Sequence, residues 1–261
     1  MAHLFIFGLG YSAKRIRAAA EARGWRVSGT GSEGDVAFED DDGVRAALGM
    51  ASHVLSSVPP DDAGDPVLAR YGDALGHGWL GYLSSTGVYG DTGGAWIDES
   101  ASTGGGRRSA RSEADGAWLD RRARVFRLPG IYGPGRSALD RVRDGRAHRI
   151  DLPEQVFSRV HVDDIASGVV AGFAAPAGAY NLADDLPASQ NAVIEEACRL
   201  LDIPPPPLQS LDEAGLSPQA RAFYAENRRV ANGKARRVLG WRPAFPTYRE
   251  GLRAIVRPTS P

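Results

Sequence analysis

The sequence of 261 residues predicts an α/β protein built on a doubly wound parallel sheet. Short apolar runs, typical of strands buried on both faces, alternate with amphipathic helical stretches through the first half of the chain. A glycine-rich turn joins the first strand to the first helix. Repeated strand–helix units with short connections form parallel sheets that carry helices on both faces.

The first half of the chain supplies most of the predicted sheet. The run HLFIF at residues 3–7 is the first strand, and Gly24 closes the helix that follows it. Asp65 and Pro66 provide the cap and first-turn proline of a later helix. Further strands are predicted around Val27 and at residues 36–38, 53–58, 79–84 and 124–128, with helices at 12–23, 65–76 and 109–122.

The second half has a different pattern, in which helices dominate. Residues 1–135 are predicted to form the sheet domain, to which 155–183 return, and 136–261 mainly form a smaller mixed subdomain. The predicted helices lie at 137–144, 163–175, 189–202, 217–227 and 247–256, with strands at 156–162 and 179–182.

Composition excludes several function classes. Apolar residues make up 43% and charged residues 24% of the chain, which is ordinary globular usage and excludes disorder. The net charge of −1 argues against nucleic acid or an anionic membrane as the main partner. No apolar run is long enough to span a membrane. A single cysteine, Cys198, excludes an internal disulfide, and a cytoplasmic location is expected.

The turn after the first strand has the pattern GxGxxA. Gly8 permits a tight turn, and Gly10 lets a pyrophosphate approach the backbone at a helix N-terminus. Tyr11 and Ser12 follow, and the small Ala13 lets the helix pack closely on the strand. Because the pattern follows a strand and opens a helix, it predicts binding of NAD or NADP. A purely structural turn is the alternative.

The choice between NAD and NADP stays open. Thr30 and Ser32, at the end of the second strand, are candidate cofactor contacts, but neither is a carboxylate for the ribose hydroxyl or an arginine for a 2′-phosphate. Glu33 is a possible ribose acid, or else a solvated loop residue. Asp40 is a candidate contact for the adenine, with a solvated acidic run as the alternative.

A hydroxyl-rich segment ends the predicted strand at 79–84. It reads LSSTGVYG over residues 83–90, and RLPGIYGPG (127–135), HVDDIA (161–166), YNLAD (180–184) and LGWRP (239–243) follow in order. With the glycine turn, this order resembles the NAD-dependent epimerase/dehydratase family, the extended branch of the short-chain dehydrogenases/reductases. The resemblance covers nearly the whole chain and implies a Rossmann fold and a small-molecule substrate.

The resemblance also implies roles for individual residues. Ser85 matches the catalytic serine, which hydrogen-bonds the substrate oxygen. His161 and Asp163 match a segment that holds the sheet and the subdomain together, and no ligand spacing supports a metal. The helices at 65–76 and 109–122 match those that pair two protomers, so a homodimer is expected, with a monomer as the alternative. The residues implied to contact the cofactor are Ser57, Val58 and Pro59 beside the ribose, and Pro129, Gly130 and Ile131 near the nicotinamide. The candidate dimer contacts are Leu68, Tyr71, Leu75 and Trp118.

The sequence departs from the family at the acid–base pair, Tyr-x-x-x-Lys. The chain has only two lysines, and neither has a tyrosine four residues earlier. Arg107 and Arg111 occupy the tyrosine and lysine positions. Arginine can hold a ribose or a phosphate, but it is always protonated and is a poor proton shuttle. Phe157 replaces the arginine that grips the diphosphate in nucleotide-sugar members, and Arg159 is either its substitute or a structural residue.

Two functions remain open at the level of sequence. As an enzyme, the chain would be an oxidoreductase or epimerase that uses Ser85 with an unconventional acid, for which Tyr89, His161 and a water molecule are candidates. As a binding module, it would be a dinucleotide sensor or scaffold. The sequence does not identify a substrate.

Overall fold

The computed structural model describes residues 2–106 and 109–256. Its strands are β1 (His3–Phe7), β2 (Arg26–Gly29), β3 (His53–Ser56), β4 (Trp79–Ser85), β5 (Trp96–Ile97), β6 (Arg124–Leu128), β7 (Gly130–Tyr132), β8 (Arg149–Ile150), β9 (Arg159–His161), β10 (Gly178–Asn181), β11 (Leu208–Gln209) and β12 (Arg229–Val230). Its α-helices are α1 (Tyr11–Glu21), α2 (Asp41–Met50), α3 (Pro66–Tyr71), α4 (Ser109–Asp120), α5 (Ala138–Arg143), α6 (Val162–Ala171), α7 (Gln190–Leu201), α8 (Pro218–Phe223), α9 (Gly233–Val238) and α10 (Tyr248–Val256). Among the described residues, no helix is both long enough and apolar enough to cross a bilayer.

Six parallel strands form the central sheet in the order β10-β6-β4-β3-β1-β2. The chain runs outward from β1 to one edge and then from β3 to the other edge, so the order reverses between β1 and β3. Helices cover both faces of the sheet. The prediction of a doubly wound α/β fold, of the Rossmann type, is confirmed.

Alternating side chains of β1 divide the core between the two faces. Leu4 and Ile6 pack on one face in a cluster that includes Ile16 of α1, and α1 lies against α6 there. Phe5 and Phe7 pack on the opposite face with residues of α2, α3 and α4. All four β1 side chains are fully buried, which explains why this strand is apolar at every one of these positions.

The strand expected at residues 36–38 is wrong, because only Val36 forms an isolated bridge, to Thr30. The chain folds back on the end of β2 before it can extend. The Gly29 N–H donates to the Asp35 carboxylate at 3.0 Å, and the Asp35 N–H donates to the Gly29 carbonyl at 2.8 Å. These bonds use the groups that a neighbouring strand would need. Phe38 instead packs beside Phe7, with ring centroids 6.2 Å apart.

The helix that begins after Asp65 is shorter than the sequence predicts. It ends at Tyr71, and Gly72–Ala74 form a short 3₁₀ turn. The Asp65 carboxylate accepts from the Val67 and Leu68 N–H groups at 2.9 Å, and from the Trp118 indole at 2.8 Å. A second oxygen of Asp65 therefore ties α3 to α4.

Three of the side chains expected to contact a second protomer lie in the core instead. Tyr71 and Trp118 are fully buried, and Leu75 is buried with them in the cluster behind the sheet. Only Leu68 remains partly exposed. Their apolar character is explained by packing within one chain, because α3 and α4 need an apolar face to cover the sheet.

A separate, smaller core lies in the second half of the chain. It is built mainly from α5, α7 and α10, and it includes Leu139, Val193 and Tyr248. Short parallel pairs, β7 with β9 and β5 with β12, lie outside the main sheet. The strand expected at 156–162 covers only Arg159–His161, because α6 begins at Val162 with His161 as its N-cap. The sequence did not predict α9.

Candidate functional site

A cleft of about 1400 Å³ lies at the carboxyl ends of the sheet strands. Its walls come from the segments that follow β1, β3, β4 and β6, where ligands of open α/β sheets bind. The structure brings the following predicted site residues together along it: Gly10, Tyr11, Ser12, Ser57, Pro59, Ser85, Arg111, Pro129, Gly130 and Ile131.

Other predicted site residues do not line this cleft. Arg107 lies outside the described residues. Gly8 belongs to the glycine turn, and Ala13, Thr30 and Val58 lie next to that turn but outside the cleft lining. Ser32 and Asp40 lie on the surface, near the end of β2 and the start of α2.

The glycine turn is held by two hydroxyl side chains. Thr30 Oγ1 accepts from the Gly8 N–H at 3.0 Å, and the Thr30 carbonyl accepts from the Leu9 N–H at 2.7 Å. The Ser57 hydroxyl donates to the Gly8 carbonyl. Gly8 has a φ of +81°, and a Cβ there would lie 3.0 Å from Val58 Cγ2. Gly8 and its contacts therefore shape the turn and connect the ends of β1, β2 and β3.

Gly10 differs from Gly8 in both conformation and surroundings. Its φ of −87° is open to any residue, and a Cβ there would meet no atom of the described residues within 4 Å. Gly10 begins α1, and no side chain caps that helix. The first-turn N–H groups of α1 are therefore left for a ligand or solvent, beside a space that a side chain at position 10 would fill.

The carboxylates near the end of β2 have protein partners. Glu33 forms an ion pair with Lys14 of α1. Asp40 caps α2, because its Oδ1 accepts from the Gly43 N–H at 3.0 Å. Asp40 is thus explained as a helix cap, and its expected contact with adenine remains a prediction.

Ser85 ends β4 and begins a short 3₁₀ turn, Thr86–Tyr89. Its Oγ accepts from the Gly87 N–H at 3.1 Å. A hydroxyl that accepts one hydrogen bond still has its own O–H to donate. Because Ser85 lines the cleft, this O–H is available to a ligand oxygen.

A buried polar network lies behind Ser85, and the sequence did not predict it. Asp115 of α4 accepts from the Ser84 hydroxyl at 2.6 Å and from two nitrogens of Arg127, at 3.0 and 2.6 Å. Arg127 also donates to the Tyr89 hydroxyl at 3.0 Å, and that hydroxyl donates to Asn181 at 2.8 Å. Burial opposes the charge on Arg127, but its hydrogen bonds and charge pairing outweigh burial and raise its pKa. The signal available in the sequence was an arginine inside an apolar strand.

Neither side chain that the sequence offered as an unconventional acid lines the cleft. Tyr89 is buried within the network, and burial raises its pKa. The His161 ring is 2% exposed and lies between Tyr132 and Phe245, where burial lowers its pKa. His161 Nδ1 accepts from the Asp163 N–H at 3.2 Å. Across residues 2–106 and 109–256, no three His, Cys, Asp or Glu side chains are grouped so as to hold a metal ion.

Two arginines of the cleft differ in their surroundings. Arg111 lines it from α4 and is half-buried. Arg159 is buried and donates to the Phe157 and Ala188 carbonyls, both at 2.8 Å, and to Gln190 at 3.2 Å. Burial lowers the pKa of Arg159 to about 10. These bonds show that Arg159 braces the wall of the cleft.

Comparisons with known proteins agree with this architecture. No known family model matches the sequence. A functionally unknown conserved protein from Silicibacter pomeroyi is 39% identical, with a TM-score of 0.87 over 98% of each chain. A curated relative from Streptomyces sp, a 3-diazoavenalumate denitrifying reductase, is 34% identical over 143 residues. That match spans 49% of this chain and 45% of the reductase, so less than half the length of that relative is covered.

More distant solved structures share the fold. A human epimerase family protein, determined with NADPH, is 16% identical with a TM-score of 0.77 over 97% of this chain and 99% of its own. The UDP-glucose 4-epimerase of Thermus thermophilus, determined with NAD, is 19% identical with a TM-score of 0.73 over 99% of this chain and 100% of its own. The chain therefore belongs to the same family as the Silicibacter pomeroyi protein, and it has the fold of the NAD-dependent epimerases and dehydratases.

Proposed function

We propose that this chain is an NAD(P)-dependent oxidoreductase whose cofactor lies along the cleft, with its pyrophosphate against the glycine turn. The observation that carries the proposal is the open space at Gly10 beside the uncapped first turn of α1. A helix N-terminus attracts negative charge, and a position without a side chain lets phosphate oxygens reach its N–H groups. The relationship to a curated reductase supports this class of activity.

The remaining contacts of a dinucleotide would come from the strand ends. Ser57 and Pro59 line the cleft after β3, and Pro129, Gly130 and Ile131 line it after β6. A nicotinamide bound at the segment after β6 would donate a hydride to the substrate or accept one from it. Lys14 and Glu33 form an ion pair at the end of β2, so a cation and a carboxylate both lie where a ribose would end. This arrangement is compatible with NAD and with NADP.

Ser85 would orient the substrate. Its Oγ is fixed by the hydrogen bond from the Gly87 N–H. Its O–H would donate to a substrate carbonyl oxygen and so hold the carbonyl carbon beside the nicotinamide. Arg111 would donate to ribose or phosphate oxygens without transferring a proton. The proton for the product alcohol would then come from solvent. General acid–base help is worth roughly 10²–10⁴-fold, so turnover would be slower than in relatives with a Tyr-x-x-x-Lys pair.

A non-catalytic dinucleotide sensor is the second candidate. It is favoured by one observation, the absence of a tyrosine four residues before either lysine. Oxidation of NADH or NADPH in the presence of aldehydes and ketones separates the two functions. A sensor would bind the cofactor and leave it unchanged with every carbonyl compound.

The Gly10→Val variant tests dinucleotide binding. We expect it to fold, because position 10 has an ordinary backbone conformation and open space around it. Its valine would occupy the approach to the α1 N–H groups, and affinity for NADH and NADPH should fall at least about tenfold. Calorimetry measures the affinities, and circular dichroism measures folding.

Gly49→Val is the matched control for Gly10→Val. Gly49 lies on α2, away from the cleft, and a Cβ there also meets no atom within 4 Å. It should bind both cofactors as the unaltered protein does. If folded Gly10→Val keeps its full affinity, the glycine turn is only structural and the proposed function is wrong.

A further inference from the structure

The cleft extends beyond the segments assigned to the cofactor. Side chains of α5, α7 and α8 and of the segment before β9 line this second part. The total volume of about 1400 Å³ exceeds the roughly 300–1,000 Å³ of ordinary ligand pockets. A dinucleotide and a second molecule can therefore occupy the cleft together. The side chains that line the second part of the cleft indicate the chemical class of that second molecule.

Positive charge dominates the lining. Among the described lining residues, arginines outnumber carboxylates six to two. The arginines are Arg111, Arg136, Arg141, Arg146, Arg159 and Arg228, and the carboxylates are Asp140 and Glu226. Converging cations attract an anionic ligand, with greater effect inside a cleft than on an open surface.

Several of these arginines already have protein partners. Arg159 donates to the Phe157 and Ala188 carbonyls at 2.8 Å. Arg228 donates to Glu226 at 2.7 Å, so that pair is close to neutral. Arg146 is paired with a carboxylate of its own loop. These side chains brace the wall more than they offer donors to a ligand.

Arg141 of α5 is different. Within residues 2–106 and 109–256, its guanidinium makes no hydrogen bond or ion pair. The adjacent Asp140 carboxylate accepts from the Ser137 N–H at 2.8 Å and the Ser137 hydroxyl at 2.7 Å, and it lies 3.8 Å from Arg143. Arg141 is exposed to solvent and lines the cleft, and the protein around it lowers its pKa by desolvation. Arg141 therefore lines the cleft with N–H donors that no described protein group uses.

Tyr224, which follows α8, lines the same cleft as Arg141. Burial raises the pKa of Tyr224, and the charges of Arg141 and Arg159 act in the opposite direction. Within the described part of the chain, that hydroxyl makes no hydrogen bond. The Phe157 ring meets the Tyr224 ring edge-on, with centroids 5.6 Å apart. The two rings provide an apolar surface next to two unused polar groups.

We propose that the second ligand of this cleft is an aromatic carboxylate, with the carboxylate held by Arg141 and Tyr224 and the flat body packed against Phe157. This inference rests on the proposed function and names the substrate class of that site. A planar guanidinium presents two parallel donors that match the two oxygens of a carboxylate. Arg136 also has no ion pair among the described residues, but it lies over the Tyr11 ring beside the glycine turn. The single charge of Arg141 balances a monoanion.

Three probes test the charge and shape of the ligand: 2-naphthoate, its uncharged methyl ester and 2-naphthyl phosphate. Binding is followed by naphthyl fluorescence and by calorimetry in the presence of NADPH. We expect 2-naphthoate to bind at least about tenfold more tightly than the ester, the value of one charge-assisted hydrogen-bonded contact. Equal binding of acid and ester, no saturable binding of the acid, or tighter binding of the phosphate overturns the proposal.

Variants assign the preference to the named side chains. Arg141→Gln should remove the preference for acid over ester, and Tyr224→Phe should reduce it several-fold while ester binding stays constant. Arg143→Gln is the matched control, since Arg143 lies on the same helix but does not line the cleft. If Arg143→Gln weakens acid binding as much as Arg141→Gln does, the proposal is wrong.

Dinucleotide affinity is measured on the same samples to separate this inference from the proposed function. Arg141→Gln should bind NADPH as the unaltered protein does. If the unaltered protein binds NADPH but does not distinguish acid from ester, only the carboxylate inference fails. If it binds neither NADH nor NADPH, the proposed function itself fails.

Discussion

Ser84 and Ser85 are neighbours in the chain, but they perform different tasks. Successive side chains of a strand point to opposite faces. Both serines lie at the cleft, but Ser84 is buried and its hydroxyl donates to Asp115 at 2.6 Å, whereas Ser85 is partly exposed. The sequence assigned the ligand-facing role to Ser85 by its resemblance to a known segment. The structure adds that the Ser85 hydroxyl is fixed by the Gly87 N–H.

Replacing Ser85 with alanine should weaken binding of a carbonyl ligand more than binding of NADPH. Ligand affinity should fall roughly tenfold, because one buried hydrogen bond to the ligand oxygen is lost. Loss of the cap on the 3₁₀ turn should lower the free energy of unfolding by about 1 kcal/mol. Calorimetry with each ligand, together with urea denaturation, checks both effects. An equal loss of cofactor affinity would mean that Ser85 binds the cofactor instead.

Asp184 gives the protein a pH-dependent stability. It is 2% exposed, and burial raises its pKa from 3.8 to about 8, despite the opposing charge of Arg159. Between these two values the folded protein binds more protons than the unfolded chain does, so stability falls as the pH rises. The free energy of unfolding should be roughly 1–3 kcal/mol lower at about pH 8 than at about pH 5 from this group.

Asp184→Asn should remove this part of the pH dependence, because an amide does not titrate. Urea denaturation at both pH values gives the comparison. Asp202→Asn, at an exposed helix end, is the control. Its free energy of unfolding should change between the two pH values as much as that of the unaltered protein. If the free energy of unfolding of Asp184→Asn depends on pH as strongly as that of the unaltered protein, Asp184 is ionised throughout this range.

At the scale of elements, the buried network joins β4, β6 and α4. Arg127 and Asp115 are almost fully buried and form an ion pair with a closest distance of 2.6 Å. Tyr89 and Asn181 extend the network to β10. Such a pair fixes the helix against the sheet at one register, which positions the strand end that carries Ser85.

Asp115→Asn should destabilise the protein by about 3–5 kcal/mol, because Arg127 would remain buried without a counter-charge. The double variant Asp115→Leu with Arg127→Met should recover most of this loss, since it removes both charges. Arg124→Gln on the same strand, whose side chain is partly exposed, should cost much less. Denaturant unfolding measures all three. Equal stability of Asp115→Asn and Arg124→Gln would contradict the assigned role of the pair.

At the scale of the whole molecule, a two-fold dimer through α3 and α4 remains a prediction. Tyr71, Leu75 and Trp118 are used in the core, so such an interface would depend on Leu68 and polar side chains. Light scattering at micromolar concentration should give twice the chain mass of 27.8 kDa. A mass near that of one chain would show that these helices only cover the sheet.

The sequence by itself determined most of the sheet and the glycine turn at its edge. Strand alternation, helix caps and the glycine pattern are local signals, because each depends on residues a few positions apart. For this reason β1, β4, β6 and the turn at Gly8 and Gly10 were predicted close to their observed places. The strand expected at 36–38 failed because the Asp35 contacts with Gly29 override the local apolar pattern.

Only the tertiary structure decided which polar side chains face the cleft. Tyr89 and His161 looked available in the sequence, but packing against Arg127 and Phe245 encloses them. The sequence analysis did not single out Arg141, yet it lines the same cleft as Tyr224, which is far away in the chain. Contacts between distant segments depend on how the elements pack, and one sequence without its fold carries no local signal for them.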